Sequence, residues 1–409
     1  MEDAYIVDIA RSPIGKFLGS LSEFSAVRIG TEIARGLLAR NDIKKETIEE
    51  AIVGNVLSAG LGQNPAKQVA MYAGLNPGIS TLNVNKVCAS GLKAISIAAE
   101  GIQTGNLEIV IAGGMESMTN AAHTVSGARR FRKLGNSSIK EYYDYLNSAG
   151  QDPGKEMMVD ELIHAGLWDC YADMHMGSLA EKIGIEDSIT REEQDKFALE
   201  SHKKAAMATD SGKFKDEIIP IKLSDGRIYG EDEGIRRETS MEKLAQLKPA
   251  FEKNGTVTAG NASQISDGAS FALIMSGRKI KELGVKPLAK IESHASSGID
   301  PSWYGYAPIT AMNKALEKAG YALNDMDLVE INEAFCVQVL GVVKRMNIDT
   351  NKLNVNGGAT AMGHPLGASG AIILGTLIYS LKDRKKNLGI ASLCHGGGGA
   401  EAMVVSRVE

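Results

Sequence analysis

Two of the four cysteines stand where a thiol could do covalent or acid–base work. Cys88 lies in Asn85-Lys86-Val87-Cys88-Ala89-Ser90-Gly91, between the strand-like run Leu82-Asn83-Val84-Asn85 and an apolar helical stretch. A helix N-terminus carries partial positive charge and free N–H groups, which favour thiolate over thiol and make Cys88 a candidate nucleophile. The plainer reading is a small buried residue at a strand end. Cys394 follows the strand-like Gly389 to Leu393 and precedes His395-Gly396-Gly397-Gly398-Gly399. Consecutive glycines let a backbone approach a ligand closely and offer N–H groups to an oxyanion; a merely flexible turn is the poorer account. His364 sits in Gly357-Gly358-Ala359-Thr360-Ala361-Met362-Gly363-His364-Pro365-Leu366-Gly367, at another strand-to-helix turn. It could serve Cys88 as a base if the two turns face each other, and it could equally be packed beneath a glycine-rich turn. Asn332, in Asn332-Glu333-Ala334-Phe335, ends the strand-like Leu328 to Ile331; taken alone it could be only a helix cap. Cys170, Cys336, His123, His164, His202 and His294 have no comparable setting and read as structural or solvated.

The elements that must position these groups form a repeat. Leu82-Asn83-Val84-Asn85 recurs as Leu353-Asn354-Val355-Asn356, and the flanks recur in the same order. A helical run and Ile52-Val53-Gly54-Asn55 precede the first copy, as a helical run and Val329-Glu330-Ile331-Asn332 precede the second. Ser90-Gly91-Leu92-Lys93-Ala94 is echoed by Ala368-Ser369-Gly370-Ala371, and the closing strand Gly268 to Ser276 by Gly399 to Ser406. The chain therefore reads as a duplicated α/β unit. The first copy is interrupted by about residues 121–250, which carry the basic run Arg129-Arg130-Phe131-Arg132-Lys133, a capping box Thr190-x-x-Glu193 and a hairpin at Ser224-Asp225-Gly226. Strands alternating with amphipathic helices predict mostly parallel sheets covered on both faces, with ligands beyond the carboxyl ends of the strands. Gly367 to Leu381 is uncharged but too short for a membrane span, which predicts a buried helix.

Composition narrows the function classes. With 409 residues, 44% hydrophobic and 23% charged, the chain is an ordinary globular protein of more than one core. A net charge of −5 gives no electrostatic case for nucleic acid or a membrane surface. Four scattered cysteines support neither a disulfide framework nor a zinc site, and no glycine-rich nucleotide fingerprint is present. A strand-like run from Tyr5 predicts no signal or transit peptide, so the cytoplasm is the expected compartment.

These motifs together resemble the thiolase family. The resemblance rests on Asn85-x-x-Cys88-Ala89-Ser90-Gly91, Gly113-Gly114-Met115-Glu116-Ser117-Met118, Thr258-Ala259-Gly260-Asn261-Ala262-Ser263, Asn332-Glu333-Ala334-Phe335, Gly363-His364-Pro365-x-Gly367 and Cys394-x-Gly396-Gly397-Gly398. It implies a thiolase fold of class α/β: duplicated βαβαβαββ halves in a five-layered αβαβα arrangement with an inserted loop domain. Residues 1–120, completed by 251–277, would form the N-terminal half, 121–250 the insert and 278–409 the C-terminal half. The implied activity is reversible condensation of two acetyl-CoA to acetoacetyl-CoA and coenzyme A, through an acetyl group on Cys88. A degradative 3-ketoacyl-CoA thiolase of broader chain length, or a related condensing enzyme, is the alternative.

By the same resemblance His364 takes the proton of Cys88 and Cys394 deprotonates the second acetyl-CoA. One oxyanion site is His364 with a water held by Asn332; the other is the backbone N–H of Cys88 and Gly396. Leu167, His175, Met176, Arg236, Phe251, Ser263 and Phe335 match the family's coenzyme A contacts. The resemblance implies no metal and no cofactor besides the CoA thioesters, and a homotetramer built as a dimer of dimers, with the basic run from Arg129 at subunit contacts. Two departures bear on substrate choice: Tyr304-Gly305 stands where short-chain members often carry Met-Gly, and Gly399-Ala400 ends the glycine motif in place of a usual Met-Gly; His395 also adjoins Cys394, where it is expected to perturb that thiol.

Overall fold

The computed structural model describes residues 2–41, 43–125, 148 and 158–408; the basic run from Arg129 lies outside them. The first half contributes β1 (Ala4–Arg11), α1 (Ala26–Arg40), β2 (Glu50–Gly54), α2 (Pro65–Tyr72), β3 (Ser80–Val84), α3 (Ser90–Gln103) and β4 (Ile109–Ser117). After the insert, which carries α4 (Met176–Glu186) and α5 (Arg191–Asp210), the half closes with β5 (Ser266–Ser276). The second half runs β6 (Ala289–Gly298), α6 (Ala307–Ala319), β7 (Leu328–Ile331), α7 (Cys336–Met346), α8 (Leu366–Arg384), β8 (Leu388–His395) and β9 (Gly399–Arg407).

Local chemistry accounts for many of these elements. Ser25 caps α1 by accepting from the Arg28 N–H, and Ile29, Ile33 and Leu37 recur on its buried face. Thr190 and Glu193 form the expected capping box at α5. The expected hairpin is present as Ile221–Lys222 against Ile228–Tyr229. Helix α8 is buried from Leu366 to Leu381, as its uncharged sequence predicts, because it packs between the strands of the two halves.

The strands follow one path, β7-β8-β9-β6-β1-β5-β4-β2-β3, in a sheet of ten that includes the short Gly15–Lys16. Each half uses the same order, and the halves join where Tyr5 and Ile6 of β1 pair with Lys290 and Ala289 of β6. The expectation of mostly parallel sheets is corrected here. Only β2–β3, β2–β4 and β7–β8 are parallel, while the long β1, β4, β5, β6, β8 and β9 pair antiparallel. The closing strand of each half returns between two others and so reverses direction against both.

Three apolar clusters define five layers. The central one gathers Leu92, Ile95 and Ile102 of α3 with Leu374, Leu377 and Ile378 of α8, and with Ile52, Val110, Ile274, Leu393 and Met403 from both halves. Helices α1 and α2 cover the outer face of the first half, and α6 and α7 that of the second. Glycine sets the spacing of the inner pair: a Cβ on Gly91 would lie 2.8 Å from the Gly367 carbonyl, and one on Gly370 would lie 2.6 Å from Leu92 N. Close packing at this end brings the N-termini of α3 and α8 together, and with them the turns that carry Cys88 and His364. The insert is anchored by buried Arg11, which binds Glu217 at 2.7 Å and Asp232 at 2.7 and 3.0 Å.

Candidate active site

The Cys88 turn is built by its neighbours. Asn85 Oδ1 accepts from the Val87 N–H at 3.0 Å, Ser90 Oγ accepts from the Lys86 N–H at 2.8 Å, and the same hydroxyl donates to the Val87 carbonyl at 2.6 Å. Val87 is thereby held at φ 47°, a costly conformation for a β-branched residue and one that aims the next side chain. Gly396 packs against Val87, beside Cys88, and the backbone N–H groups of Cys88 and Gly396 favour the charged form of the sulfur. Burial nevertheless pushes the Cys88 thiol up to about 12, and the charge of Glu116 adds to the rise. The N–H groups favour thiolate in the expected direction, but desolvation outweighs them, which favours the thiol at rest.

The opposing turn carries His364 and packs close by, Leu366 sharing an apolar cluster with Cys88. His364 is buried, and its own N–H is held by the Gln264 carbonyl at 3.0 Å and Ser266 Oγ at 3.2 Å. Nδ1 lies 2.5 Å from Ser369 Oγ, whose proton goes to the Pro365 carbonyl at 2.9 Å. A hydroxyl that donates elsewhere accepts here, so this network assigns the proton to Nδ1 and leaves Nε2 a free acceptor. Burial lowers the imidazole to about 4, keeping it neutral. Asn332 Nδ2 lies 3.4 Å from Nδ1 and 3.5 Å from Nε2, across the ring and too far for a strong hydrogen bond.

Cys394, 1% exposed near the end of β8, lies close enough to Cys88 for the charge of Cys88 to oppose its ionisation. Burial is the main cause of its raised value. The neighbouring His395 is not among the causes, which corrects that expectation. Strand alternation turns it to the opposite face, against Gly399 and toward Lys86, with Nδ1 2.7 Å from the Gly396 carbonyl. Tyr304 is buried against both cysteines, and its hydroxyl donates to the Met176 carbonyl at 3.2 Å. Cys88 from the first half and His364 and Cys394 from the second thus lie at one end of the packed halves.

The family model of the thiolase N-terminal domain matches residues 4–278, and that of the thiolase C-terminal domain matches residues 285–407. The chain belongs to the thiolase family. It is an acyltransferase with the thiolase fold. It is similar to a protein named acetyl-CoA acetyltransferase from Allochromatium vinosum, with 46% identity and full coverage of both chains. A Staphylococcus epidermidis protein named probable acetyl-CoA acyltransferase is 43% identical, again over the whole of both. The crystal structure of the Bacillus anthracis acetyl-CoA acetyltransferase superposes with a TM-score of 0.92 at 37% identity, over 100% of this chain and 99% of that one.

The residues matched to thiolase coenzyme A contacts mostly gather beside the thiols. Leu167 packs into the apolar cluster that touches Cys88. Met176 and Phe335 share a cluster with Tyr304 and Cys394. His175 stacks on Phe251 at 4.6 Å, and Phe251 meets Phe335 edge-on at 6.0 Å. The Ser263 N–H donates to the Ala334 carbonyl at 3.0 Å, just before Phe335. Arg236 joins them only through its loop: its side chain is exposed, while its N–H donates to His202 Nδ1 at 3.0 Å. Cys336, beside Thr360, and exposed Cys170 take no part in this cluster. Sequence reasoning gave no role to Ser369 or Glu116, although both lie inside quoted motifs; a hydroxyl five residues after a histidine at a helix start was the available signal for Ser369. Among the described residues no helix is long and apolar enough to cross a membrane, and no group of three His, Cys, Asp or Glu could hold a metal ion.

Proposed function

We propose that this thiolase is an acetyl-CoA C-acetyltransferase, interconverting two acetyl-CoA with acetoacetyl-CoA and coenzyme A through an S-acetyl group on Cys88. The observation that carries the reading is the approach of Gly396, two residues beyond Cys394, to Val87 beside Cys88, where the Cys88 and Gly396 N–H groups favour a charged Cys88 sulfur. Donors that favour charge at that atom also favour the oxyanion of a thioester undergoing attack there, where one such donor is worth about 3 kcal/mol.

The steps follow from the resting protonation states. His364 Nε2 takes the Cys88 proton, and the thiolate attacks the acetyl carbonyl. The carbon–sulfur bond to coenzyme A breaks, and the leaving sulfur takes the proton of Cys394. A Cys394 thiolate and a His364 imidazolium remain, opposite charges that support each other in a desolvated site. Cys394 then removes a methyl proton from the second acetyl-CoA while His364 and a water held by Asn332 stabilise the enolate oxygen. The enolate carbon attacks the acetyl group, acetoacetyl-CoA leaves, and Cys88 recovers its proton from His364. Coenzyme A would lie along Leu167, His175, Met176, Phe251, Ser263 and Phe335, with Arg236 toward its phosphates. No metal or further cofactor is needed, and the same reading makes the enzyme a cytoplasmic homotetramer.

A broader 3-ketoacyl-CoA thiolase is the second reading, in line with the name of the Staphylococcus epidermidis relative. Tyr304, buried against both thiols, favours short acyl groups. The deciding assay supplies acetoacetyl-CoA and coenzyme A and follows loss of the 3-ketothioester for the wild type, Cys88→Ala and Cys394→Ala. Both variants are expected to be inactive; normal turnover by either overturns the assignment.

A further inference from the structure

We propose that Glu116 is a positioning residue of this site, its carboxylate clamping the turn that carries His364 onto the half that carries Cys88. The inference rests on the roles of Cys88 and His364 proposed above. Glu116 lies near the end of β4 and is 0% exposed. Its Oε1 accepts from Asn55 Nδ2 at 2.8 Å and the Leu57 N–H at 3.1 Å; its Oε2 accepts from the Val56 N–H at 3.1 Å and the Gly367 N–H at 2.9 Å. Asn55 to Leu57 follow β2 in the first half, whereas Gly367 lies in the first turn of α8, three residues beyond His364. One side chain therefore joins β4, the segment after β2 and the start of α8.

All four partners are donors, so the ionised carboxylate is the form that satisfies them; a carboxyl O–H would confront an N–H. The Gly367 N–H is one of the first-turn donors that has no acceptor within its own helix. Releasing it would free the turn that holds His364, while Cys88 stays with the first half. Burial pushes Glu116 up to about 7, against the pull of the three backbone N–H groups, and Asp267 adds to the rise. Its charge in turn raises Cys88, whose other titratable neighbours are Cys394 and Tyr304, with His364 at the facing turn. Glu116 thus has two separable effects on Cys88: it sets the geometry of the base, and it disfavours the thiolate.

Glu116→Gln removes both, and Asn55→Ala weakens only the first. The amide NH₂ meets two N–H donors and breaks the clamp, and the charge is lost. In acetoacetyl-CoA thiolysis at pH 8, kcat is expected to fall about 10- to 100-fold with KM nearly unchanged, the scale of a misplaced reacting group. With His364→Ala added, so that the base no longer contributes, iodoacetamide should alkylate Cys88 faster when Glu116→Gln is present than when it is not, a gain that general loosening of the fold would not produce while Glu116→Gln alone keeps a normal KM and thermal midpoint. Asn55→Ala, which removes one of the four bonds and keeps the charge, should lower kcat by a smaller factor without accelerating alkylation. Unchanged kcat in both variants overturns the inference, as does a fall in kcat accompanied by slower alkylation in the His364→Ala background. Full activity of Cys88→Ala would instead overturn the functional reading on which it rests.

Discussion

Ser369 Oγ sits 2.5 Å from His364 Nδ1 and passes its own proton to the Pro365 carbonyl at 2.9 Å. The second bond decides the direction of the first. Ser369 accepts from Nδ1–H, and Nε2 is left to accept the proton of Cys88. Removing the hydroxyl in Ser369→Ala lets the imidazole adopt either tautomer and turn within its pocket. The rate of acetyl-enzyme formation is expected to drop about 10- to 100-fold, part of the range that general acid–base catalysis supplies, with little change in KM. Rapid-quench measurement of the Cys88 acetyl group checks this, and an undiminished burst would contradict the assigned tautomer.

The resting state of Cys88 gives a second expectation. A thiol at about 12 is only about one part in 10⁴ thiolate at pH 8 without assistance. Alkylation of the wild type by iodoacetamide should therefore depend on His364 and fall steeply in His364→Ala. In that variant the rate should climb about tenfold per pH unit through pH 9, with no plateau. A plateau near neutrality would show a thiolate stabilised without the histidine.

Tyr304 sets the third. Its ring is buried against both thiols, and its hydroxyl is used by the Met176 carbonyl at 3.2 Å. Tyr304→Ala should shift preference from acetoacetyl-CoA toward 3-ketohexanoyl-CoA by about tenfold or more in kcat/KM, since a methylene in an apolar pocket is worth about 1–3 kcal/mol. Tyr304→Phe keeps the ring and should leave the preference unchanged. If both variants retain the wild-type ratio, the acyl group lies elsewhere.

What the sequence concealed is instructive in Leu353-Asn354-Val355-Asn356. Its twin is strand β3, an exposed edge. The second copy makes only isolated bridges, because Asn354, at φ 43°, offers its side-chain amide to β7 in place of backbone: Oδ1 accepts from the Ile331 N–H and Nδ2 donates to its carbonyl, both at 2.9 Å. Helix α5 then covers that edge, with Lys204 Nζ on the Leu353 carbonyl at 3.0 Å. Four identical residues cannot report a helix some 150 positions away. The strand-to-helix turns of Cys88 and His364 were legible because turn chemistry is local. The protonation states of these residues were not, because desolvation comes from residues throughout both halves.

The same distinction governs acid stability, where His202 offers the cleanest test. It lies on α5, 1% exposed, with Nδ1 accepting from the Arg236 N–H and Nε2 without a partner. Burial, helped by the charge of Arg236, lowers it to about 4. Below pH 6.5 the unfolded chain takes up a proton that the folded chain refuses, so this contribution is complete above pH 6.5 and is lost as the pH falls toward 4. A shift of that size amounts to on the order of 3 kcal/mol. His364 acts in the same direction. Glu116 opposes both, since a carboxyl raised to about 7 stabilises the fold below pH 4.5 and loses that contribution as the pH rises through 7. Comparing the wild type with His202→Gln cancels the shared terms, and glutamine can still accept from Arg236. The difference in urea unfolding free energy should change by on the order of 2 kcal/mol between pH 6.5 and 4.5, the wild type losing more. A difference independent of pH would mean that folded His202 already carries its proton.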